Sequence, residues 1–403
     1  MIPRMTSAAA NPLLSKDRLE RYRSVRARLD PTGDPAQAMA ESYVAAPHSV
    51  SERIAAELAL SPASKHLLIG GVGSGKTTEL LAVQTQLSKL DEDLLGIYID
   101  VSQRHDIAKM TPGAIIVQVG LALAPGLLPD EAAKAAFKQL TLIAYGAMYT
   151  ESYGLGVSQK KDIPGVLIPP HRFANSVQDA LPLVETLLVQ LESARRRVVV
   201  LLDGLDRMSD ILAFDKLIAD DVNALHDLGV GVVLVGPLHA LYGLDRTIAE
   251  RFDSLHYQQW IDVVHDPKGL AFLTSVLAKR VSDDAFDGIA RGHLIAASGG
   301  VIRDLLALAQ SACVEAYVSG VEQVGFNEVA AAIDTFGRKH LQGLRPGEIE
   351  VLQRVRTKAA FVHTSEDDLA LLMTRRVLEY RADGRLRYAV HPTIENLLAE
   401  LSD

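Results

Sequence analysis

The sequence predicts an α/β fold whose core is a doubly wound parallel sheet. Two near-continuous apolar runs, at 197–203 and 229–236, have the character of parallel strands that are buried on both faces. Segments with helical periodicity lie between these runs and an earlier apolar run that ends in a glycine-dense turn. This alternation of strands and helices is typical of sheets that bind a ligand at the carboxyl ends of their strands.

The bulk composition favours a multidomain protein of the cytoplasm. A chain of 403 residues has room for two or three domains and a large core. A formal net charge of -9 argues against a surface coated for nucleic acid, although a local basic patch is compatible with it. The single cysteine, Cys313, excludes an internal disulfide and fits a reducing compartment. The uncharged run at 111–129 contains prolines and glycines, which favour a buried helix over a membrane span.

A phosphate-binding loop follows the earliest apolar run, in the stretch HLLIGGVGSGKTTEL. Its glycines allow successive backbone N–H groups to turn towards a phosphate chain, and the following helix points its positive end at the same anion. Lys76 supplies a positive charge for the β and γ phosphates, and Thr77 offers a hydroxyl ligand to Mg²⁺. The residues expected to hold the nucleotide are Gly70, Gly71, Val72, Gly73, Ser74, Gly75, Lys76, Thr77 and Thr78.

Two acidic residues at the end of the 197–203 run are the expected partners of this loop. Asp203 ends this apolar run. We expect the run to lie next to the strand that precedes the phosphate-binding loop (the P-loop), and we expect Asp203 to hold Mg²⁺ together with Thr77. Asp206 would polarise an attacking water or support Asp203. The alternative for either residue is an acid that merely caps a turn.

The rest of the chain divides into four predicted segments. They are an N-terminal helical extension at 1–44, the P-loop core at 45–265 with an irregular insertion near 145–171, a helical lid at 266–340, and a small module at 341–403. The charge-rich helix at 16–30 is either a solvated face or a docking arm. In the last segment, helices followed by a hairpin around Asp383 and Gly384 indicate a winged-helix-like module.

The P-loop, the DGLD strand end and the helices that follow resemble the AAA+ and STAND branch of P-loop ATPases. In NACHT-type STAND proteins a small residue follows the Mg²⁺ aspartate and a further acid comes two residues later, as Gly204 and Asp206 do here. The resemblance implies ATP and Mg²⁺ as cofactors. Because Gly204 stands where AAA+ enzymes usually carry a catalytic glutamate, it implies slow hydrolysis by a molecular switch.

The resemblance also implies roles for two arginines. Arg251 matches an arginine finger that acts on a neighbouring subunit's γ-phosphate, with a surface arginine paired to Glu250 or Asp253 as the alternative. Arg303, in the first turn of a helix after two glycines, matches the second sensor of the initiator clade and would couple the nucleotide to the lid. Its alternative is a solvated helix charge beside Asp304.

These features support three hypotheses for function. The first is a slow ATPase switch that controls self-assembly or a protein partner, with bacterial defence or mobile-element control suggested by analogy. The second is an ATP-dependent DNA-binding initiator or transposition regulator, and the third is a nucleotide-holding scaffold without turnover. Under the second, phosphates of DNA would contact the arginines of the last segment, which otherwise pack between domains or face solvent: Arg375, Arg376, Arg381, Arg385 and Arg387.

Overall fold

The structure, a computed structural model, places the chain in two compact units. It describes residues 15–33, 35–103, 106–127, 130–153, 157–163, 165–167, 176–193, 196–242, 247–359, 361, 366–382 and 385–400. One unit, here called the sheet unit, comprises residues 49–70 and 76–258. The other, the helical unit, comprises residues 1–48, 71–75 and 259–403. The glycine-rich part of the P-loop therefore groups with the helical unit, which the four predicted segments did not anticipate.

Strands and helices alternate through the first two thirds of the chain. The strands are β1 Lys65–Gly70, β2 Leu94–Asp100, β3 Ala147–Tyr153, β4 Val157–Ile163, β5 Arg197–Asp203, β6 Gly231–Val235, β7 Ser254–Gln258, β8 Val377–Ala382 and β9 Arg385–Val390. The helices are α1 Lys16–Arg28, α2 Pro35–Ser42, α3 Ser51–Leu60, α4 Lys76–Leu90, α5 Ala114–Leu123, α6 Glu131–Tyr145, α7 Ser176–Ser193, α8 Ile211–Leu217, α9 Asn223–Asp227, α10 His239–Tyr242, α11 Thr247–Glu250, α12 Pro267–Ala278, α13 Gly288–Ala297, α14 Ile302–Ser319, α15 Phe326–Leu341, α16 Pro346–Lys358, α17 Glu366–Met373 and α18 Pro392–Glu400.

The sheet unit contains a parallel sheet of five strands in the order β2, β5, β6, β1, β7. This confirms the predicted fold class. One detail of the prediction is wrong, because β6 lies between β1 and β5, so the strand of Asp203 is not adjacent to the P-loop strand. Apolar runs specify that strands are buried, and they carry no information on which buried strand lies next to which.

Apolar side chains of α3 and α4 pack on one face of this sheet. Leu58 and Leu80 join the core formed by Leu68 and its strand neighbours.

Asp221, fully buried, accepts hydrogen bonds from backbone N–H groups at the start of α5, at 2.7 Å from Gly113 and 2.9 Å from Ile115. Such bonds satisfy donors that a helix N-terminus leaves unpaired.

The predicted irregular insertion near 145–171 contains regular structure. Strands β3 and β4 pair as an antiparallel hairpin, from Ala147 opposite Ile163 to Tyr153 opposite Val157. The expectation of irregularity is therefore wrong for this hairpin, and α6 continues to Tyr145. The polar content of the two strands hid them, because they lack the apolar runs by which buried strands are recognised. Residues 154–156, 164 and 168–171 of the insertion lie outside the described part of the chain.

The charge-rich helix α1 is bound within the helical unit through Arg18. Its guanidinium, 8% exposed, donates to the carbonyls of Ala316 at 3.1 Å and Val321 at 2.8 Å, around the end of α14. Carbonyls at a helix C-terminus favour a cation, so this contact explains why a basic helix packs there. The predicted alternatives were a solvated face and a docking arm, and α1 has an exposed face together with an intrachain docking contact.

The C-terminal part of the helical unit contains the predicted hairpin. Strands β8 and β9 pair antiparallel, from Val377 opposite Val390 to Ala382 opposite Arg385. The turn residues Asp383 and Gly384 lie outside the described residues. Helices α16 and α17 precede the hairpin, and α18, which the sequence analysis did not anticipate, follows it. Throughout the described residues, no helix is both long enough and apolar enough to cross a membrane.

Candidate functional site

The glycines after β1 adopt conformations that other residues rarely take. Gly73 and Gly75 have φ angles of 81° and 98°, in the left-handed region that glycine enters without steric cost. The hydroxyl oxygen of Ser74 is buried and has no hydrogen-bond partner. A loop with this backbone and an unsatisfied buried hydroxyl fits a phosphate chain, whose oxygens accept hydrogen bonds from such groups.

Lys76, at the start of α4, has a buried ammonium with two partners in the sheet unit. Its side chain is 6% exposed, and Nζ donates to the carbonyl oxygen of Gly70 at 2.8 Å. Nζ also forms an ion pair with the Oδ2 of Asp206 at 3.0 Å. The structure therefore brings together the two residues that sequence reasoning had expected to act on the terminal phosphate and on water.

Asp203 and Thr77 meet as expected of a Mg²⁺ site. The Thr77 hydroxyl donates to Oδ2 of Asp203 at 2.6 Å, and the Tyr98 hydroxyl donates to the same oxygen at 3.0 Å. Burial raises the pKa of Asp203, while the bond from Thr77 opposes that rise and the negative charge of Asp206 adds to it. A carboxylate beside a hydroxyl is a donor set that suits Mg²⁺, so these residues fit the ion. Tyr98 escaped sequence reasoning because a tyrosine in a strand is usually a packing residue.

Gly204 is required by its backbone and by its surroundings. Its φ of 95° is left-handed, and a Cβ atom there would lie 3.0 Å from Oδ1 of Asp100 and 3.1 Å from Cβ of Ser102. Its N–H donates to Oδ1 of Asp203 at 2.8 Å. A glutamate at this position would be both strained and crowded.

Within the helical unit, two elements pack on the P-loop backbone at 71–75. The indole Nε1 of Trp260 donates to the carbonyl oxygen of Val72 at 3.1 Å, and a Cβ atom on Gly71 would lie 1.9 Å from the indole ring. A Cβ atom on Gly73 would lie 2.8 Å from Cβ of Arg303, at the start of α14. Arg303 thus lies against the loop. The role of Trp260 was not recognised, because its neighbour in space is 188 residues away in sequence.

Arg251 pairs with an acid of its own chain. Its Nε lies 2.9 Å from Oδ1 of Asp215 in α8, and a terminal nitrogen lies 3.1 Å from Oδ2. This two-point contact replaces the expected alternative partners, Glu250 and Asp253. The Arg251 side chain is 37% exposed.

Four of the five C-terminal arginines have intrachain partners. Arg387 pairs with Asp262 at 2.7 Å and lies over the ring of Tyr380, 4.3 Å from its centroid. The other pairs are Arg375 with Asp304 at 2.7 Å, Arg381 with Glu379 at 2.8 Å, and Arg376 with the carbonyl of His340 at 2.7 Å. Arg385 is exposed. Most of this cluster is therefore used for packing inside the helical unit.

Comparison with known proteins shows the fold. No family model matches the sequence, and no curated protein matches it. Among solved structures, Orc1 from Aeropyrum pernix in complex with DNA is 17% identical, covers 93% of this chain and 96% of its own, and superposes with a TM-score of 0.51. Cdc6p from Pyrobaculum aerophilum is 11% identical over 93% and 98%, with a TM-score of 0.46. A RuvB variant from Thermotoga maritima is 12% identical over 89% and 95%, with a TM-score of 0.42.

The similarity to Orc1 extends over more than nine tenths of both chains and is not confined to one domain. At such low identity the likeness to Orc1 defines the fold alone. The fold is similar to that of Orc1, and membership of the AAA+ class stays a proposal. The finer resemblance to the STAND branch stays a prediction.

Proposed function

We propose that this protein is a slow, Mg²⁺-dependent ATPase switch of the AAA+ class. The observation that carries the proposal is the packing of the P-loop backbone against Trp260 and Arg303 inside the helical unit. A change at the phosphate site would therefore act directly on residues that belong to the helical unit. Such a device suits a switch, because its output is a change of conformation and not rapid turnover.

The residues of the site divide the work of binding. The backbone N–H groups of 71–75 and the Lys76 ammonium bind phosphate oxygens, and Thr77 with Asp203 holds Mg²⁺. When bound, Mg²⁺ neutralises negative charge on the phosphates. ATP is preferred over GTP by analogy with the fold class.

Two features of the site support slow hydrolysis. Gly204 excludes the usual catalytic base, and Asp206 forms an ion pair with Lys76. Asp206 can orient an attacking water only when Lys76 turns to a phosphate, so substrate binding and release of the acid are coupled. We assign Asp206 the role of the weak base on this argument.

The output of the switch would be self-assembly or engagement of a protein partner. Arg251 could act on a neighbouring subunit as an arginine finger only after leaving Asp215, which makes its use conditional on a change around α8. DNA binding through the C-terminal segment is the weaker candidate, because most of the arginines in and before its hairpin are already paired with intrachain acids or carbonyls.

The proposal is tested by nucleotide binding and turnover in matched lysine variants. Lys76→Ala removes a buried charge from the phosphate site, and we expect about a 10- to 100-fold loss of Mg·ATP affinity. Lys89→Ala, an exposed lysine on the same helix, is the control and should bind as the wild type does. Equal binding by all three proteins, or none by the wild type, would refute the proposal.

Two further measurements separate the alternatives. Product release at saturating Mg·ATP, lowered in Asp206→Asn, distinguishes an ATPase from a scaffold that never turns over. Size measurements without nucleotide, with ADP and with a non-hydrolysable ATP analogue test assembly. We expect a larger species only with the analogue, and one unchanged size in all three conditions would remove self-assembly from the proposal.

A further inference from the structure

Three side chains that commonly bind metals meet in the sheet unit beside the neighbouring strands β1 and β7. His66 lies in β1, His256 lies in β7, and Glu57 reaches them from α3. The two imidazoles are almost fully buried, at 1% and 5% exposure, and Glu57 is 28% exposed. His66 comes near the start of β1, and the P-loop follows the other end of that strand, so this cluster is separate from the nucleotide site.

The distances between the three ligand atoms match those around a tetrahedral metal ion. Nδ1 of His66 lies 3.0 Å from Nε2 of His256, and Oε2 of Glu57 lies 3.5 Å and 3.4 Å from these nitrogens. Bonds of about 2.0 to 2.1 Å to zinc at tetrahedral angles separate adjacent ligands by roughly 3.3 to 3.4 Å. The three atoms thus form one face of a tetrahedron of the right size.

Hydrogen bonds on the far side of His66 leave its Nδ1 lone pair directed at the cluster. The Ser64 hydroxyl donates to the carbonyl oxygen of Ser61 at 2.6 Å, so its oxygen must accept from Nε2 of His66, 2.7 Å away. Ser64 therefore fixes the tautomer, as an outer partner does for a metal-bound histidine.

Glu57 presents one carboxylate oxygen that lacks a hydrogen bond. Its Oε1 accepts from Nε of Arg53 at 2.8 Å, whereas Oε2 is buried and has no hydrogen-bond partner. A buried, unsatisfied carboxylate oxygen is costly unless a cation or donor compensates it. Here it faces two imidazole nitrogens, of which at least one carries a lone pair.

We propose that Glu57, His66 and His256 bind one zinc ion, with water as the fourth ligand. Two imidazoles and a carboxylate are a ligand set that zinc favours, and the absence of a thiolate from the set disfavours softer ions. The ion would join α3 to β1 and β7 and so strengthen one edge of the parallel sheet, while its fourth position stays open to water. It is distinct from the Mg²⁺ position at Thr77 and Asp203.

Cobalt titration of tag-free, chelator-treated full-length protein without nucleotide tests the proposal. We expect visible absorption typical of tetrahedral Co²⁺ that saturates at one ion per chain and is displaced by Zn²⁺. Saturation with Zn²⁺ should raise Tm by about 5 °C, because an ion that binds only the folded state stabilises it. Asp203→Asn, which alters the Mg²⁺ position, should leave both results unchanged.

Matched variants identify the ligands. Glu57→Gln keeps the size of the side chain and removes its charge, and we expect at least about a tenfold loss of Co²⁺ affinity for it and for His256→Gln. Glu52→Gln, on an exposed position of the same helix, is the control and should bind as the wild type does.

Absence of the cobalt absorption and of a Tm shift in the wild type would overturn the proposal, whether or not the variants fold. Equal affinity of Glu57→Gln and Glu52→Gln would also overturn it. The cluster would then be a hydrogen-bonded pair of imidazoles beside a carboxylate.

Discussion

At the scale of single residues, Gly204 shows how local backbone geometry restricts the chemistry of the site. It follows the buried Asp203, occupies the left-handed region, and has Asp100 and Ser102 within contact distance of any added Cβ atom. The backbone at this strand end therefore disfavours any larger residue. Introducing an acid there by substitution would disturb the turn that positions Asp203.

We expect Gly204→Glu to lower the free energy of unfolding by about 3 kcal/mol without accelerating hydrolysis. Gly229→Glu is the control, since Gly229 also has a positive φ of 76° but has open space around it, and we expect a cost of about 1 kcal/mol. Denaturant unfolding and ATP turnover provide the two readouts. Fast turnover by Gly204→Glu would show that the missing acid alone limits the rate.

Residues close in sequence were predictable, and those joined only in space were not. The spacing of Lys76 and Thr77 is local, so the P-loop could be recognised without a structure. The ion pair between Lys76 and Asp206 and the bond from Trp260 to Val72 depend on tertiary packing. The cluster of Glu57, His66 and His256 has no recognisable spacing in the sequence, because its three residues lie on three separate elements.

At the scale of elements, the start of α14 links the P-loop to the C-terminal hairpin module within the helical unit. Arg303 lies against Gly73, and the next residue, Asp304, is 1% exposed and accepts from Nε of Arg375 at 2.7 Å. Burial alone would raise the pKa of Asp304, but the hydrogen bond from His391 and the charge of Arg375 lower it. Two adjacent residues at the start of α14 thus contact the P-loop and the segment that leads into the C-terminal hairpin.

Asp304→Asn should destabilise the protein by about 2 to 3 kcal/mol, because it leaves a partly buried guanidinium without its counter-ion. Asp334→Asn, which breaks an exposed pair with Arg338 on α15, should leave the free energy of unfolding almost unchanged, because solvent screens the pair. Denaturant unfolding measures both values. Equal effects of the two substitutions would mean that the buried pair does not hold the module.

Two features of the elements were not predicted from the sequence: the order of the strands in the five-stranded sheet, and the hairpin formed by β3 and β4. The position of β6 between β1 and β5 follows from the crossovers and not from the composition of any one strand. Strands β3 and β4 are polar enough to be mistaken for irregular chain. By contrast, the segment at 266–340 was predicted to be helical and contains α12 to α15, since amphipathic periodicity and capping residues are local signals.

At the scale of the whole molecule, stability should depend on pH through His340. Its imidazole contacts His391, and burial, followed by the charge of His391, lowers its pKa to about 4 from an ordinary value of 6.5. Asp304, Arg375 and Arg376 are the other charged groups that act on it. Between pH 6.5 and 4 the unfolded chain therefore binds more protons at this position than the folded chain does.

The free energy of unfolding should consequently fall as the pH is lowered through this window, with a contribution from His340 of at most about 1.4 kcal/mol per pH unit. His340→Gln should show a shallower fall than the wild type between pH 6.5 and 4 when both are referenced to pH 7.5. Parallel stability curves for the two proteins would contradict the assignment to His340.

The fluorescence of Trp260 tests the central claim most directly. Trp260 is the single tryptophan of the chain, and its indole donates to the carbonyl of Val72 in the phosphate-binding loop. If nucleotide at the loop acts on the helical unit, Mg·ATP should change the emission of Trp260 saturably in the wild type and in Lys89→Ala, and leave Lys76→Ala unchanged. ATP binding demonstrated by equilibrium dialysis, with no change in wild-type emission, would contradict the claim.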